Sequence, residues 1–318
     1  MVAGDYVLDR FIFGHPKRVS REAPVLILRY VREESIPGGA GNTAANVRAL
    51  GGEPVPVGVT GRDEGGRALR EILRSRGISP EGLQEIDGYR TPTKTRILGG
   101  APHAIKQQIV RYDVEDTLGD PDAVSADLHQ RLHAAASGAH GAILSDYGYG
   151  SVTPAAVARL REVLAPGSPI SVDSRHHLPD FTGVDAATPN EEELEEYAGG
   201  PLGDSEERLA SAGSALRSRM RCSSLLVTRG SRGMALFGDG PRPNLIPVHG
   251  TDQVADVTGA GDTVLATFAL ALCAGGTPLE AALLANFAGG VVVTKMGTAV
   301  VTPEELQAAV ESDRALLR

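Results

Sequence analysis

Ala142-Ile143-Leu144-Ser145-Asp146 is a short apolar run closing on polar residues, and Thr153 to Leu164 follows it with helical spacing. The pattern then repeats. Pro169-Ile170-Ser171-Val172-Asp173 reads as a second strand, and Asp185-Ala186-Ala187-Thr188 as a third, with an acidic helix from about Glu191. Leu225-Leu226-Val227-Thr228 and Gly233-Met234-Ala235-Leu236-Phe237 add two more. Short apolar strands separated by helices imply an α/β fold, a mostly parallel sheet covered on both faces. Toward the C-terminus the spacing predicts three helices. One starts near Gly259 and ends at Gly275-Gly276, and one starts at Pro278. The last opens on Thr302-Pro303-Glu304-Glu305, a capping box with Pro at the first helical position.

Toward the N-terminus the period changes. Apolar and polar residues alternate over about 10–36 and 91–114, as in Val25-Leu26-Ile27-Leu28-Arg29-Tyr30-Val31 and Gln108-Ile109-Val110-Arg111-Tyr112-Asp113. Alternation of this kind predicts antiparallel strands. A Gly-rich turn and a helix from about Asn42 to Leu50 lie between them. The expected assembly is one domain over 1–318 whose two excursions pair into a small β lid.

Bulk properties narrow the function. With 318 residues, 42% hydrophobic and 22% charged, the chain can bury a substantial core. It has no Trp, so that core must rest on Ala, Val, Leu and Ile. A net charge of −9 argues against general nucleic-acid binding, while a pocket can still be locally positive. Cys222 and Cys273 lack metal-ligand spacing and read as free core thiols. Met1 to Asp5 shows no basic region before an apolar run, and no apolar stretch is long enough to span a bilayer. The expectation is a cytoplasmic protein with no membrane partner. The histidines, His176-His177 among them, have no Cys or carboxylate at useful spacing and read as surface or loop residues.

The chemistry concentrates in Asp256-Val257-Thr258-Gly259-Ala260-Gly261-Asp262-Thr263, placed directly before a helix. Gly259, Ala260 and Gly261 let backbone N–H groups approach an anion, and the helix adds its positive end. Asp262 at the helix start can accept a proton from an attacking hydroxyl. Phosphoryl transfer otherwise needs mainly positioning and charge stabilisation. A lone Gly-Ala-Gly would be no more than a tight turn; the full string carries the reading.

That string resembles the C-terminal signature of the ribokinase (PfkB) family of carbohydrate kinases. A counterpart of the family's N-terminal signature stands more than 200 residues earlier, as Pro37-Gly38-Gly39-Ala40-Gly41-Asn42-Thr43-Ala44-Ala45-Asn46 followed by Leu50-Gly51-Gly52. The resemblance implies a central sheet with a β lid, ATP with Mg²⁺, and transfer of the γ-phosphate to a sugar hydroxyl. By position it assigns Asp5, Asp9, Gly38, Gly39 and Asn42 to the sugar. Asn190 and Glu193 match an Asn-x-x-Glu motif for Mg²⁺ and phosphate. Thr228 and Gly230 fall where the nucleotide phosphates lie, and Asn286 and Gly289 where adenine lies. Two bland alternatives stay open: Glu191 to Glu193 also favour a helix N-terminus, and Asn286 and Gly289 also suit close helix packing.

Within the family, several stretches are similar to the heptose-7-phosphate kinase branch of lipopolysaccharide precursor synthesis. They are Asp5 to Arg10, Arg18 to Pro24, Gln107 to Asp113, Leu144 to Gly148 and Lys295 to Thr298. That branch phosphorylates the anomeric hydroxyl of a heptose 7-phosphate; Asp146 falls in one of its matching stretches and is read on the substrate side, as are Arg96 and Arg111 for their charge. A phosphorylated sugar needs cations, and the lid supplies Lys17, Arg18, Arg21, Lys94, Arg96, Lys106 and Arg111. Two departures bear on the sugar: Tyr149 and Arg175 stand where the branch usually has Lys. There is no His-x-Gly-His, so this chain alone is not expected to make a nucleotide sugar. The alternatives are another kinase of the family, acting on ribose, fructose, a fructose phosphate or a nucleoside, and a non-catalytic sugar or nucleotide sensor. Exposed lid edges predict a homodimer through the lid.

Overall fold

Neighbouring side chains on the central strands enter different cores, and this sets the architecture. The computed structural model describes residues 1–101, 106–118, 121–240, 242–250 and 255–313. Its elements run β1 (Val2–Gly4), β2 (Tyr6–Val19), β3 (Leu26–Gly39), α1 (Ala40–Ala49), β4 (Pro56–Gly61), α2 (Glu64–Ser75), β5 (Leu83–Ile86), β6 (Thr93–Gly99), β7 (Gln107–Val114) and α3 (Pro121–Ala136). Then follow β8 (Ala142–Asp146), α4 (Ala155–Val163), β9 (Ile170–Ser174), β10 (Ala186–Ala187), α5 (Glu191–Ala198), α6 (Glu206–Met220) and β11 (Ser224–Thr228). The chain continues through β12 (Met234–Phe237), β13 (Asn244–Ile246), α7 (Ala260–Cys273), α8 (Pro278–Val292) and α9 (Pro303–Ser312).

The main sheet has the order β13-β12-β11-β10-β9-β8-β1-β4-β5. It is parallel from β11 through β5, and only β12 and β13 pair antiparallel. Ala3, Leu144, Ala187, Leu225 and Val227 pack with α3, α4 and α6 on one face. Their neighbours Val2, Ile143, Ala186 and Leu226 pack with α1, α2, α7 and α8 on the other. This is the two-residue period of a strand buried on both sides. The core is aliphatic as expected, and Cys222 lies buried in it as a free thiol.

The lid is a four-stranded sheet of order β3-β2-β6-β7. The expectation of antiparallel strands holds for β2 with β3 and for β6 with β7, but the central pair, β2 with β6, is parallel. Alternation fixes which face a residue takes and says nothing of strand direction. The expected lid stretch 91–114 includes 102–105, which lie outside the described residues. The expected capping box forms at Thr302, and a second, not expected, forms at Thr277. Among the described residues no helix is long and apolar enough to cross a membrane.

Candidate active site

The start of α7 is held open by a hydrogen-bonded turn. Asp256 accepts from the Thr258 N–H at 2.9 Å, the Thr258 hydroxyl at 2.7 Å and the Gly297 N–H at 3.0 Å. Burial opposes the charge on this carboxyl, but those bonds and Arg96 hold it below its ordinary value. Gly259 then takes φ +77°, and a Cβ there would lie 2.5 Å from Asn42 Nδ2 and 2.8 Å from Thr298 Cγ2. Only glycine fits. The Ala260 N–H bonds Val257 O and the Thr263 N–H bonds Gly259 O. The N–H groups of Gly261 and Asp262 are left without a backbone acceptor among the described residues. A Cβ at Gly261 would meet no protein atom within 4 Å. Two unspent donors, a helix dipole and open room together make an anion hole.

Asp262 sits beside that hole, almost fully buried. Its Oδ2 accepts from Asn42 Nδ2 at 2.9 Å and its Oδ1 from the Tyr147 hydroxyl at 2.9 Å. Thr43 Oγ1 stands 3.4 Å from Oδ1. Burial, with help from Asp9, raises the carboxyl, while the two donors and Arg175 pull it down; the balance is about 6. The phenol of Tyr147 is itself driven well above its ordinary range by burial and by Asp262, so it stays protonated and donates. A carboxylate poised near neutrality is a competent general base.

A cleft of about 910 Å³ lies over this point. On the lid side it is lined by Asp9, Gly39, Lys94, Arg96 and Arg111, and on the sheet side by Asp173, Arg175 and His176. Asp9 is ion-paired with Arg96 at 2.5 Å, and Gly38 leaves room for that carboxylate. Arg111 pairs with Asp113 at 3.0 Å. The guanidinium of Arg175 and the ammonium of Lys94 stand 5.0 and 5.4 Å from the Tyr147 ring centre. At the far end come Asn190, Glu193, Thr228, Gly230 and Arg229, the last bonded to Glu191 at 3.3 Å.

Glu193 and Asn190 form a capping box at α5: Asn190 accepts the Glu193 N–H at 2.8 Å and Glu193 Oε2 accepts the Asn190 N–H at 2.9 Å. The bland alternative is thus realised with one oxygen, while Oε1 has no hydrogen-bond partner among the described residues. Burial, then Glu193 and Asp262, push Asp173 well above its usual range. Burial likewise raises Glu193. Among the described residues no group of three or more His, Cys, Asp or Glu could hold a metal by itself. A cation that keeps most of its water and needs one or two carboxylates fits this pair.

Several expected residues stand elsewhere. Asp5 is buried and accepts the N–H groups of Tyr147, Tyr149 and Ser151 at 2.8, 3.0 and 3.0 Å. Asp146 accepts the Gly148 N–H at 2.9 Å and the Ser174 hydroxyl at 2.6 Å. Both carboxylates therefore shape the loop after β8 rather than face the cleft. Asn42 grips the base rather than lining the cleft. Asn286 donates to Pro247 O at 2.9 Å, and Gly289 packs near Val264 and Met234. Lys17, Arg18 and Arg21 are exposed at the outer end of the lid, and Lys106 turns onto the carbonyls of Gly100 and Ala101. Of the lid cations only Lys94, Arg96 and Arg111 line the cleft. His176 and His249 are both loop residues, as expected; His176 also lines the cleft, and His249 is partly buried, 3.1 Å from the Asp313 carboxylate. Tyr147 and Arg175 line the cleft although the motifs assigned them no role.

The family model for pfkB family carbohydrate kinases matches residues 16–305, and the chain belongs to that family. It is an ATP-dependent carbohydrate kinase. It is 41% identical over 321 residues to the bifunctional protein HldE of Caulobacter sp. (strain K31), covering 99% of this chain and 63% of that protein. With HldE of Nitrosococcus oceani the identity is 41%, over 100% of this chain and 65% of the relative. The chain thus spans slightly less than two thirds of these relatives. Among solved structures, Arabidopsis thaliana ribokinase complexed with ribose and ATP superposes with a TM-score of 0.73 at 20% identity, covering 97% of each chain. Phosphofructokinase-2 from Escherichia coli gives 0.77 at 18% identity, covering 99% of this chain and 98% of that one. The fold is ribokinase-like.

Proposed function

We propose that this kinase transfers the γ-phosphate of ATP to the anomeric hydroxyl of D-glycero-D-manno-heptose 7-phosphate, giving the 1,7-bisphosphate. The observation that carries the reaction is Asp262, beside the unspent N–H groups of Gly261 and Asp262. The sugar hydroxyl gives its proton to Asp262 as its oxygen bonds to the γ-phosphorus and the bond to ADP breaks. Charge on the transferred phosphoryl group meets the N–H pair and the positive end of α7. Gly259, Ala260 and Gly261 keep this hole open. Asn190, Thr228, Arg229 and Gly230 form the nucleotide end, with Glu193 and Asp173 the ligands offered to Mg²⁺. When bound, Mg²⁺ neutralises phosphate charge.

The choice of sugar rests on the branch resemblance and on Lys94 and Arg175, which line the cleft without an ion pair among the described residues, beside the paired Arg96 and Arg111. One departure weighs toward a different phosphorylated sugar. Tyr149, where the branch usually has Lys, is buried and donates to Glu115 at 2.6 Å. The test is coupled ADP release with Mg²⁺-ATP, comparing the heptose 7-phosphate with fructose 6-phosphate, fructose and ribose. Heptose-phosphate turnover that Asp262→Asn abolishes supports both base and substrate. Turnover with fructose 6-phosphate alone would overturn the substrate and leave the base standing.

The same reading makes 1–318 one kinase domain working in the cytoplasm as a homodimer. Val19, Val25, Tyr30, Val31 and Tyr112 leave large exposed apolar surface on the lid, a surface that a second lid could cover. Light scattering giving a monomer's mass at working concentration would refute the dimer.

A further inference from the structure

Beside the C-terminal end of α1, a second hollow of about 540 Å³ is lined by Arg48, Arg76 and Lys295, with Ala45, Ala49 and Val300 as apolar wall. Three cations thus share one concavity, with no carboxylate in its lining. Lys295 is neutralised: it bonds Glu305 at 2.7 Å and Val300 O at 2.7 Å. Arg48 and Arg76 have neither an ion pair nor a side-chain hydrogen bond among the described residues. Their positions are linked, because a Cβ on Gly77, the residue after Arg76, would lie 3.4 Å from Arg48 Nη2. Arg76 caps the C-terminus of α2, where the helix dipole favours a cation. It is only partly exposed, and burial pulls its guanidinium below the usual value with no carboxylate to offset that cost. Guanidinium forks without partners, set in a pocket, match the geometry of a phosphate group.

We propose that the Arg48–Arg76 hollow is a second oxyanion site, separate from the catalytic cleft, that takes a phosphate or a small phosphomonoester. The apolar wall and the volume leave space for an organic portion beside the phosphate group. The hollow also touches the catalytic apparatus through two elements. Arg48 lies on α1, the helix whose Asn42 holds Asp262. Thr298 lines both this hollow and the cleft, with its side chain against Gly259. Occupancy would therefore brace α1 against the segment that supports the anion hole.

The test is calorimetric titration of the wild-type protein with inorganic phosphate and, in a second arm, glycerol 2-phosphate. Arg48→Gln and Arg76→Gln are titrated in parallel. Neither arginine touches the reacting groups, and kinase turnover without added phosphate should stay within about twofold of wild type. The expected result is a binding event in wild type that both variants weaken at least tenfold, as loss of one charge-assisted partner implies. Any binding in the cleft persists in all three proteins. Tighter binding in the glycerol 2-phosphate arm identifies a phosphomonoester, and equal binding identifies free phosphate. Identical isotherms for wild type and Arg48→Gln would overturn the site. Arg48 is exposed and its replacement should not unfold the chain, so that variant decides even if Arg76→Gln is unstable.

Discussion

Replacing Tyr147 by Phe should move the acid limb of the kinase pH profile upward. The hydroxyl donates to Asp262 Oδ1 at 2.9 Å and so favours the charged carboxylate. Its removal leaves burial and Asp9 still raising the carboxyl, with Asn42 and Arg175 left to oppose them. A hydrogen bond to a charged group is worth about 1.5–3 kcal/mol, and one pKa unit is about 1.4 kcal/mol. The base therefore shifts up by about one to two units from its value of about 6. The sign follows from the role. A general base works only when deprotonated, so turnover is lost as pH falls through its pKa. At pH 6 the variant should be about 5- to 50-fold slower than wild type, and at pH 8.5 nearly equal to it. The assay is kcat/KM for the sugar between pH 5 and pH 9, since that ratio reports groups of the free enzyme. Phe keeps the ring on which Lys94 and Arg175 rest, so the change isolates the hydroxyl. A limb that stays in place or moves to lower pH would refute the argument, as would a loss uniform across pH.

Asp262→Asn should reduce kcat about 10²- to 10⁴-fold while ATP binding, followed by calorimetry, persists. Gly259→Ala forces an L-residue into φ +77° and pushes Asn42 away from the base; kcat should fall about 100-fold, with a modest drop in Tm. Arg96→Ala strands the buried Asp9 carboxylate and should cost about 3–5 kcal/mol in urea unfolding, and Asp9→Asn in the same chain should recover part of it.

The sequence disclosed what is local and hid what the sheet assembles. Asp262 and its glycines were legible because a turn, a helix start and a carboxylate are written in eight consecutive residues. The alternating strands and their helices were legible for the same reason. Tyr147 and Arg175 were not, because they meet only where β8 and β9 lie side by side, with Asp146 opposite Ser174. Asp5 was misread because a carboxylate at a strand end can face a ligand or a loop, and here three N–H groups claim it. The lid cations were misread as one group. Lys17 lies eight residues beyond Asp9 along β2, which at about 3.3 Å per residue is roughly 25 Å from the cleft.

The two glycine-rich segments, far apart in the chain, solve one electrostatic problem together. Burying a carboxylate at the head of α7 would by itself hold its proton too tightly for a base at neutral pH. The segment at Gly38 to Asn46 supplies the remedy: α1 brings Asn42 to Asp262, with a further bond from its Nδ2 to Gly259 O at 3.3 Å. Asn46 donates in turn to Asn42 Oδ1 at 3.2 Å and to Asn42 O at 3.0 Å, which fixes the amide with its NH₂ toward the base. An Asp at 42 would add like charge, and a Leu would leave the carboxylate one donor short. Tyr147 completes the cradle from the other side, through a loop that Asp5 pins. Removing either donor should raise the carboxyl, so Asn42→Ala should shift the acid limb in the same direction as Tyr147→Phe. Because both donors act on one carboxylate, their combined shift should differ from the sum of the two.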